Sequence, residues 1–354
     1  MTLEDLGYTA ELEAYRLDQN LDSFGVGRVI SEHKERYQVR TAEGEYEAEI
    51  IGNLRYASEN RSDFPAVGDW VAISEYDENK VLIHAVFPRR TLIERQAVGK
   101  QGEKQIIAAN IDCAFIVQAV DRDFNINRLE RYLTICNAAK VEAIIILNKI
   151  DLISASDLNA LISDVQKRVK LVPVFALSNE SKTGIEQVKE TISKGKTYCL
   201  LGSSGVGKSS LLNNLSGRSV MKTDTISQSN SKGRHITSHR ELLVLDEGGI
   251  VIDNPGMREL GMADSASGLD LTFEAILQLS RACRFKDCKH TSEKGCAVLA
   301  AVENGELDRN SYENYLKMER ENEHYESTVA ERRRKDREFG KVIKHYKNSK
   351  NSNR

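Results

Sequence analysis

The sequence predicts a multidomain chain: an N-terminal OB-type β-barrel, a central α/β domain built on a parallel sheet, and a mostly helical C-terminal region. Three observations predict this. Short apolar segments broken by turn residues fill the stretch from Val26 to Val86, strands and helices alternate from about Gln105, and three cysteines crowd around one histidine between Cys283 and Cys296. The expected domains are 1–100, 101–264 and 265–354.

After an acidic leader, "GVGRVIS", "RYQVRT", "EYEAEIIG", "DWVAISEY" and "KVLIHAV" read as five strands, with Gly44, Gly52, Gly68 and Asp77 near the breaks. Five short strands in such a span suit a small barrel, and the oligonucleotide/oligosaccharide-binding (OB) type leads. Such barrels bind RNA or serve as docking and spacer domains. No interleaved aromatic pattern here names bases to be stacked.

The grammar then changes. "CAFIVQAV" is a buried strand, "NINRLERYLTICNAA" a helix and "EAIIIL" a second strand; a helix, "LVPVFALS", a helix after Thr183 and "TYCLL" follow. Alternation of this kind implies a parallel sheet. "ELLVLDEGGIVIDNPG" contains two strands joined at "EGG", a hairpin expected to add an antiparallel edge pair.

"TYCLL" runs into Gly202, Ser203, Ser204, Gly205, Val206, Gly207, Lys208 and Ser209, which fit G-x-x-x-x-G-K-[ST] at every fixed position, with Ser210 opening the helix behind. The glycines let successive backbone N–H groups turn inward on phosphates, and the helix presents its positive end. Lys208 is expected to reach the β- and γ-phosphates, and Ser209 to ligate Mg²⁺.

Asn148, Lys149, Ile150 and Asp151 follow a buried strand, at the edge where open α/β sheets bind ligands. A carboxylate there accepts from both N1–H and N2–H₂ of guanine, whereas adenine offers it a lone pair. An unpaired buried charge costs several kcal/mol, about 10³-fold in selectivity. The expected nucleotide is therefore GTP. Asn148 would brace the neighbouring loop and Lys149 cover the base, with Ser178 and Asn179 supporting guanine from its other edge.

Asp253 and Gly256, in "DNPG", form a D-x-x-G downstream of the phosphate loop. Asp253 would hold Mg²⁺ through water and the Gly256 N–H would meet the γ-phosphate. The polar stretch "SQSNSKGRHITSHRE" is the place for a first switch, with Thr237 the expected Mg²⁺-binding threonine and Thr225 its competitor. Met257 stands where a Ras-type enzyme carries the glutamine that orients the attacking water. A thioether cannot orient water, so hydrolysis is slow or another group serves. His235 is the candidate, though a histidine in a basic loop suits an RNA contact equally.

Cys283-x₄-Cys288-x-His290-x₅-Cys296 offers three thiolates and an imidazole, a set suited to a closed, structural Zn²⁺ site. Lys286, Lys289 and Lys294 interleave with the ligands and face RNA or solvent. Cys113, Cys136 and Cys199 stand singly in apolar segments and read as packing residues.

The formal net charge is −3, yet residues 332–354 hold ten Lys or Arg against two acids, a local +8. A basic tail on an acidic body suits a nucleic-acid or ribosome contact; a solvated charged helix has the same composition. The acidic start lacks a signal-peptide pattern, and "AIIIL" is far short of the roughly 20 apolar residues that span a bilayer. A cytoplasmic protein with no membrane partner is expected. Nothing resembles a coiled-coil seam, so a monomer is expected.

With "NKID" ahead of "GSSGVGKSS", then "GRHITSHREL", "DNPGMREL" and the cysteine cluster, the chain resembles the bacterial circularly permuted GTPases known as ribosome small-subunit-dependent GTPase A, or EngC. The resemblance covers nearly the whole chain and implies a barrel, a circularly permuted α/β P-loop GTPase domain and a zinc-binding domain. It further implies GTP hydrolysis stimulated by the small ribosomal subunit in late 30S maturation, contacts to 16S rRNA, Mg²⁺, and a catalytic role for His235. Two positions depart from the family pattern: "HITS" stands where a run of threonines is usual, and Asn179 where Ala or Ser is common. The permuted order runs "DNPGMREL" almost directly into the cysteine region. A shift at Gly256 driven by the γ-phosphate is thereby expected to pass along the chain to a second module.

Overall fold

The computed structural model describes residues 1–33, 35–58, 60–96, 104–121, 124–218, 241–254, 266–327, 331 and 334. The chain forms two compact units: Met1–Glu94 with Ile106–Leu260, and Arg95–Gln105 with Gly261–Arg354.

In the first unit, α1 (Ala10–Asp18) precedes β1 (Gly25–His33), β2 (Arg36–Arg40), β3 (Glu45–Ile50), α2 (Gly52–Ala57), β4 (Trp70–Asp77) and β5 (Lys80–Val86). β1 pairs antiparallel with β2, β2 with β3 and β5 with β4, while β3 and β5 run parallel. Pairing of β1 with β4, Arg28 opposite Trp70, closes the ring. Alternation drives the closure. In β2, Tyr37 and Val39 are buried while Arg36 and Gln38 are exposed. Their inward partners include Val29, Ala48, Val71, Ile73, Val81 and Ile83. The expected five-stranded barrel is present. The helix α1, and a ribbon of β6 (Leu92–Gln96) with β7 (Lys104–Ala109), were not anticipated.

The α/β layer contains β8 (Cys113–Ala119), α3 (Ile126–Ala138), β9 (Glu142–Asn148), α4 (Ala155–Arg168), β10 (Val174–Leu177), α5 (Ile185–Lys189), β11 (Thr197–Leu201), α6 (Lys208–Ser216), β12 (Glu241–Val244) and β13 (Ile250–Asp253). The strands lie in the order β10-β9-β8-β11-β13-β12, parallel except for β12. The chain steps outward from β8 to β10, then returns to place β11 on the far side of β8. The order of strands reverses there, and open α/β sheets bind ligands beside such a switch point. Phe115, Val117, Leu200, Leu211 and Leu212 fill the core under it. Cys113, Cys136 and Cys199 are buried as expected, and burial pushes the Cys113 thiol up to about 12.

One expectation needs correcting. The β12–β13 hairpin is antiparallel, but β12 is not a sheet edge: Glu241 bridges to Ser31 of β1. Barrel and α/β layer therefore make one 11-stranded sheet. Arg28 reinforces the junction. Its buried guanidinium donates to the carbonyls of Gly68 (3.2 Å), Leu6 (2.5 Å) and Asn110 (3.2 Å) and to Thr197 Oγ1 (2.9 Å), the residue that starts β11. It also lies 5.5 Å from the centre of the Trp70 ring. Burial pulls its pKa down to about 10, and the charges of Asp112 and Asp69 oppose that shift.

The second unit contains α7 (Ala266–Thr272), α8 (Glu274–Ser280), α9 (Ala297–Glu303) and a helix over 309–327. Leu269, Phe273, Ile276, Val298, Ala301, Tyr312, Leu316 and Met318 are among its buried side chains. Of the basic stretch 332–354 only Arg334 is among the described residues. No helix among the described residues is long and apolar enough to cross a membrane.

Candidate nucleotide site and metal centre

Each strand near the switch point delivers one expected group to the same edge. β11 ends at Leu201, ahead of the phosphate loop, and Lys208 opens α6. β9 ends at Asn148, ahead of Lys149–Asp151; β10 ends at Leu177, ahead of Ser178 and Asn179; Asp253 is the last residue of β13. Parallel strands share a direction, so their C-terminal ends converge. Gly256, Met257, Thr225, His235 and Thr237 lie outside the described residues.

The loops are tied to one another. Asn148 Nδ2 donates to the Val206 carbonyl at 2.7 Å, and Asn148 Oδ1 accepts from the N–H groups of Lys149 (2.8 Å) and Asn179 (3.3 Å). Asn179 Nδ2 donates to the Gly207 carbonyl at 3.0 Å, while Asn214 of α6 donates to Asn179 Oδ1 at 3.1 Å. The Asn179 side chain therefore braces the phosphate loop. Gly207 sits at φ +95°, and a Cβ there would collide with the Asn148 amide, so both backbone and space demand glycine. Ser178 is buried and closes its own turn, accepting from the Ser181 N–H at 3.1 Å. Lys149 adopts the left-handed conformation at φ 65° and pairs with Asp121 at 2.8 Å, which leaves Asp151 exposed in the short turn beyond.

Lys208 is buried, and its Nζ donates to the carbonyls of Gly202 and Ser203, each at 2.8 Å. Burial lowers its pKa, opposed by the charge of Asp253. Asp253 shows the converse: burial raises its carboxyl, opposed by Lys208. Its Oδ1 is buried and has no hydrogen-bond partner among the described residues. A buried carboxylate oxygen close enough to feel the charge of Lys208 suits a hard divalent cation.

Sequence reasoning missed several contributors. Arg128 of α3 donates to Ser203 Oγ at 3.1 Å, across 75 positions. Asn214 and Asp121, which tie the loops as above, were missed too. No motif marks these residues; only proximity in the fold does.

In the second unit, the ligand atoms of Cys283, Cys288, His290 and Cys296 all lie within 4.8 Å of one another. Cys283 Sγ is 3.8 Å from Cys296 Sγ, and His290 Nδ1 is 3.6 Å and 3.4 Å from those two sulfurs. With Zn–S near 2.3 Å and Zn–N near 2.0–2.1 Å, a tetrahedron has edges of about 3.8 Å (S–S) and about 3.6 Å (S–N). The cluster fits one tetrahedral ion. Cys296 also caps α9, its sulfur accepting from the Leu299 N–H at 3.4 Å, and the Tyr312 hydroxyl donates to the His290 carbonyl at 2.6 Å.

A parallel sheet with a phosphate loop at its switch point, and with its Asn-Lys-x-Asp strand earlier in the chain, defines a P-loop α/β protein of the GTPase type in permuted order. The chain belongs to the RsgA GTPase family, whose model matches residues 86–263. It is 41% identical to the Small ribosomal subunit biogenesis GTPase RsgA 1 of Bacteroides thetaiotaomicron over 92% of this chain and 90% of that one. It is 42% identical to RsgA 2 of Listeria monocytogenes, over 91% and 89%. Among solved structures, YjeQ from Thermotoga maritima is 28% identical with a TM-score of 0.61, covering 83% of this chain and 96% of that one. An ABC transporter model also matches residues 185–351, a span that includes the phosphate loop common to both kinds of protein.

Proposed function

We propose that this protein hydrolyses GTP and does so on the small ribosomal subunit during its maturation, binding and releasing that subunit according to nucleotide state. The observation that carries the reading is the convergence of the phosphate loop, the Asn-Lys-Ile-Asp and Asp253 on one sheet edge, in a chain whose relatives are named for small-subunit biogenesis.

The backbone N–H groups of Gly202–Ser210 cradle the phosphates, and Lys208 leaves its two carbonyl partners to reach the β- and γ-oxygens. Asp151 reads the guanine edge under the cover of Lys149 and Ile150, with Ser178 and Asn179 shaping the other side. Ser209, Thr237 and Asp253 would hold Mg²⁺, which would neutralise charge on the terminal phosphates. Gly256 senses the γ-phosphate, and His235 orients the water that Met257 cannot. Zn²⁺ is the ion of the thiolate cluster, where four protein ligands leave no open position for chemistry. The working division is 1–100, 101–264 and 265–354, in a cytoplasmic monomer that contacts 16S rRNA.

GTP turnover of the purified chain, alone and with isolated 30S and 50S subunits, tests this. Stimulation by 30S alone, lost in His235→Ala, is expected. Met257 favours a second reading, a GTP-gated RNA-binding module in which hydrolysis is incidental. Tight GTP binding with turnover unchanged by either subunit would select it.

A further inference from the structure

We propose that Arg128 is a positioning residue for the phosphate loop, acting through Ser203; this rests on the reading that the loop binds GTP. Arg128 lies in the first turn of α3, and its Nη1 donates to Ser203 Oγ at 3.1 Å. A long side chain ordinarily loses much rotamer freedom in holding one contact. Here the helix that carries it is fixed before the contact is made.

Asn125 caps α3 by accepting from the Asn127 N–H at 2.9 Å. Buried Gln118 of β8 bonds the backbone of Asn125 in both directions, at 3.0 Å each. Arg168, ending α4, donates to Asn127 Oδ1 at 2.6 Å and grips both oxygens of buried Glu130 at 3.1 Å and 2.6 Å. One turn further along, the buried Tyr132 hydroxyl shares Ser203. One strand and two helices thus agree on where the guanidinium stands.

The two halves of the phosphate loop are held differently. Asn148 and Asn179 hold the carbonyls of Val206 and Gly207, at the C-terminal half. Lys208 holds the carbonyls of Gly202 and Ser203, at the N-terminal half. Between them Gly205 has nothing within 4 Å of where a Cβ would stand. When Lys208 turns to phosphate oxygens it gives up both carbonyls. Arg128 and Tyr132 are then the side-chain ties on Ser203 among the described residues. Arg128 keeps the fan of N–H groups in place in the loaded state.

The test uses the full chain with Arg128→Ala, Arg128→Lys, Ser203→Ala and the Arg128→Ala/Ser203→Ala double variant, scored by single-turnover hydrolysis and by binding of fluorescent GTP and GDP. Arg128→Ala is expected to slow hydrolysis about tenfold while GDP affinity moves less than about threefold, because misplacement of a preset cradle is felt most in the transition state. Arg128→Lys should recover part of the rate, and the double variant should be no slower than Ser203→Ala. Unchanged hydrolysis in Arg128→Ala, losses that multiply in the double variant, or a rate loss matched by an equal fall in melting temperature would each overturn the proposal. An unsubstituted chain that binds no GTP would instead remove the functional reading, and this inference with it.

Discussion

Asn148 and Val206 lie 58 positions apart and meet at 2.7 Å, side-chain amide to carbonyl, joining the loop expected to read the base to the loop expected to hold the phosphates. The same carboxamide accepts from two further N–H groups, so it is satisfied at both ends. The two loops are thereby one rigid arrangement rather than two.

Asn148→Ala should weaken GTP and GDP alike, by about 10- to 100-fold, since a buried carbonyl and two N–H groups lose their partner at about 1–3 kcal/mol each when unsatisfied. Titration with fluorescent di- and triphosphates checks it. A loss confined to GTP would contradict a bracing role.

Asp151→Asn should move base preference rather than abolish binding. Guanine presents two donors to a carboxylate, whereas xanthine replaces one with a carbonyl that a carboxamide N–H can meet. Competition between GTP and XTP should invert, by about 10²-fold or more. Equal loss of both nucleotides would mean that Asp151 does not face the base.

Burial raises the Asp253 carboxyl above its ordinary value of 3.8, with Lys208 opposing. The folded pKa exceeds the unfolded one, so this group's contribution to stability is present below 3.8 and is lost as pH rises through the folded value. Cation-assisted GTP binding has the opposite sign, because it needs the carboxylate. Magnesium-dependent GTP affinity should therefore fall on acidification, beginning at a higher pH than an unshifted aspartate would give. Asp253→Asn should weaken binding about tenfold or more and remove that dependence. Isothermal titration across the acidic range reads both.

Removing the metal should unfold the second unit's cysteine region and spare the nucleotide site. Chelator, or Cys288→Ser, should lower helical content while GTP affinity holds within about twofold, since ion binding there is folding free energy. Metal analysis of the purified chain should return one zinc per molecule.

Arg28→Met should destabilise the first unit by about 3–5 kcal/mol, the range for breaking a buried charged network. Urea unfolding followed at Trp70, on which the guanidinium stacks, measures it directly. Arg28→Lys should recover little, because one ammonium cannot reach four acceptors spread around a planar fork.

What the sequence reveals depends on how far apart the cooperating residues stand. The phosphate loop is legible because eight consecutive residues must wrap one ligand. The cysteine cluster is legible because a tetrahedron closes most cheaply from ligands near in sequence. The barrel shows in alternation such as Tyr37 and Val39 against Arg36 and Gln38. Arg28 and Thr197, or Arg128 and Ser203, carry no such mark. Each is an ordinary residue until the sheet order brings its partner close. The β12 hairpin was read as an edge for the same reason: Ser31 and Glu241 share no local pattern, only a register.

That register has a consequence for the segment in front of it. Residues 219–240, which carry His235 and Thr237, enter β12 at Glu241, and Glu241 is the residue bridged to the barrel. A macromolecule that pulls on the barrel therefore pulls, through Ser31 and Glu241, on the strand residue paired with Asp253.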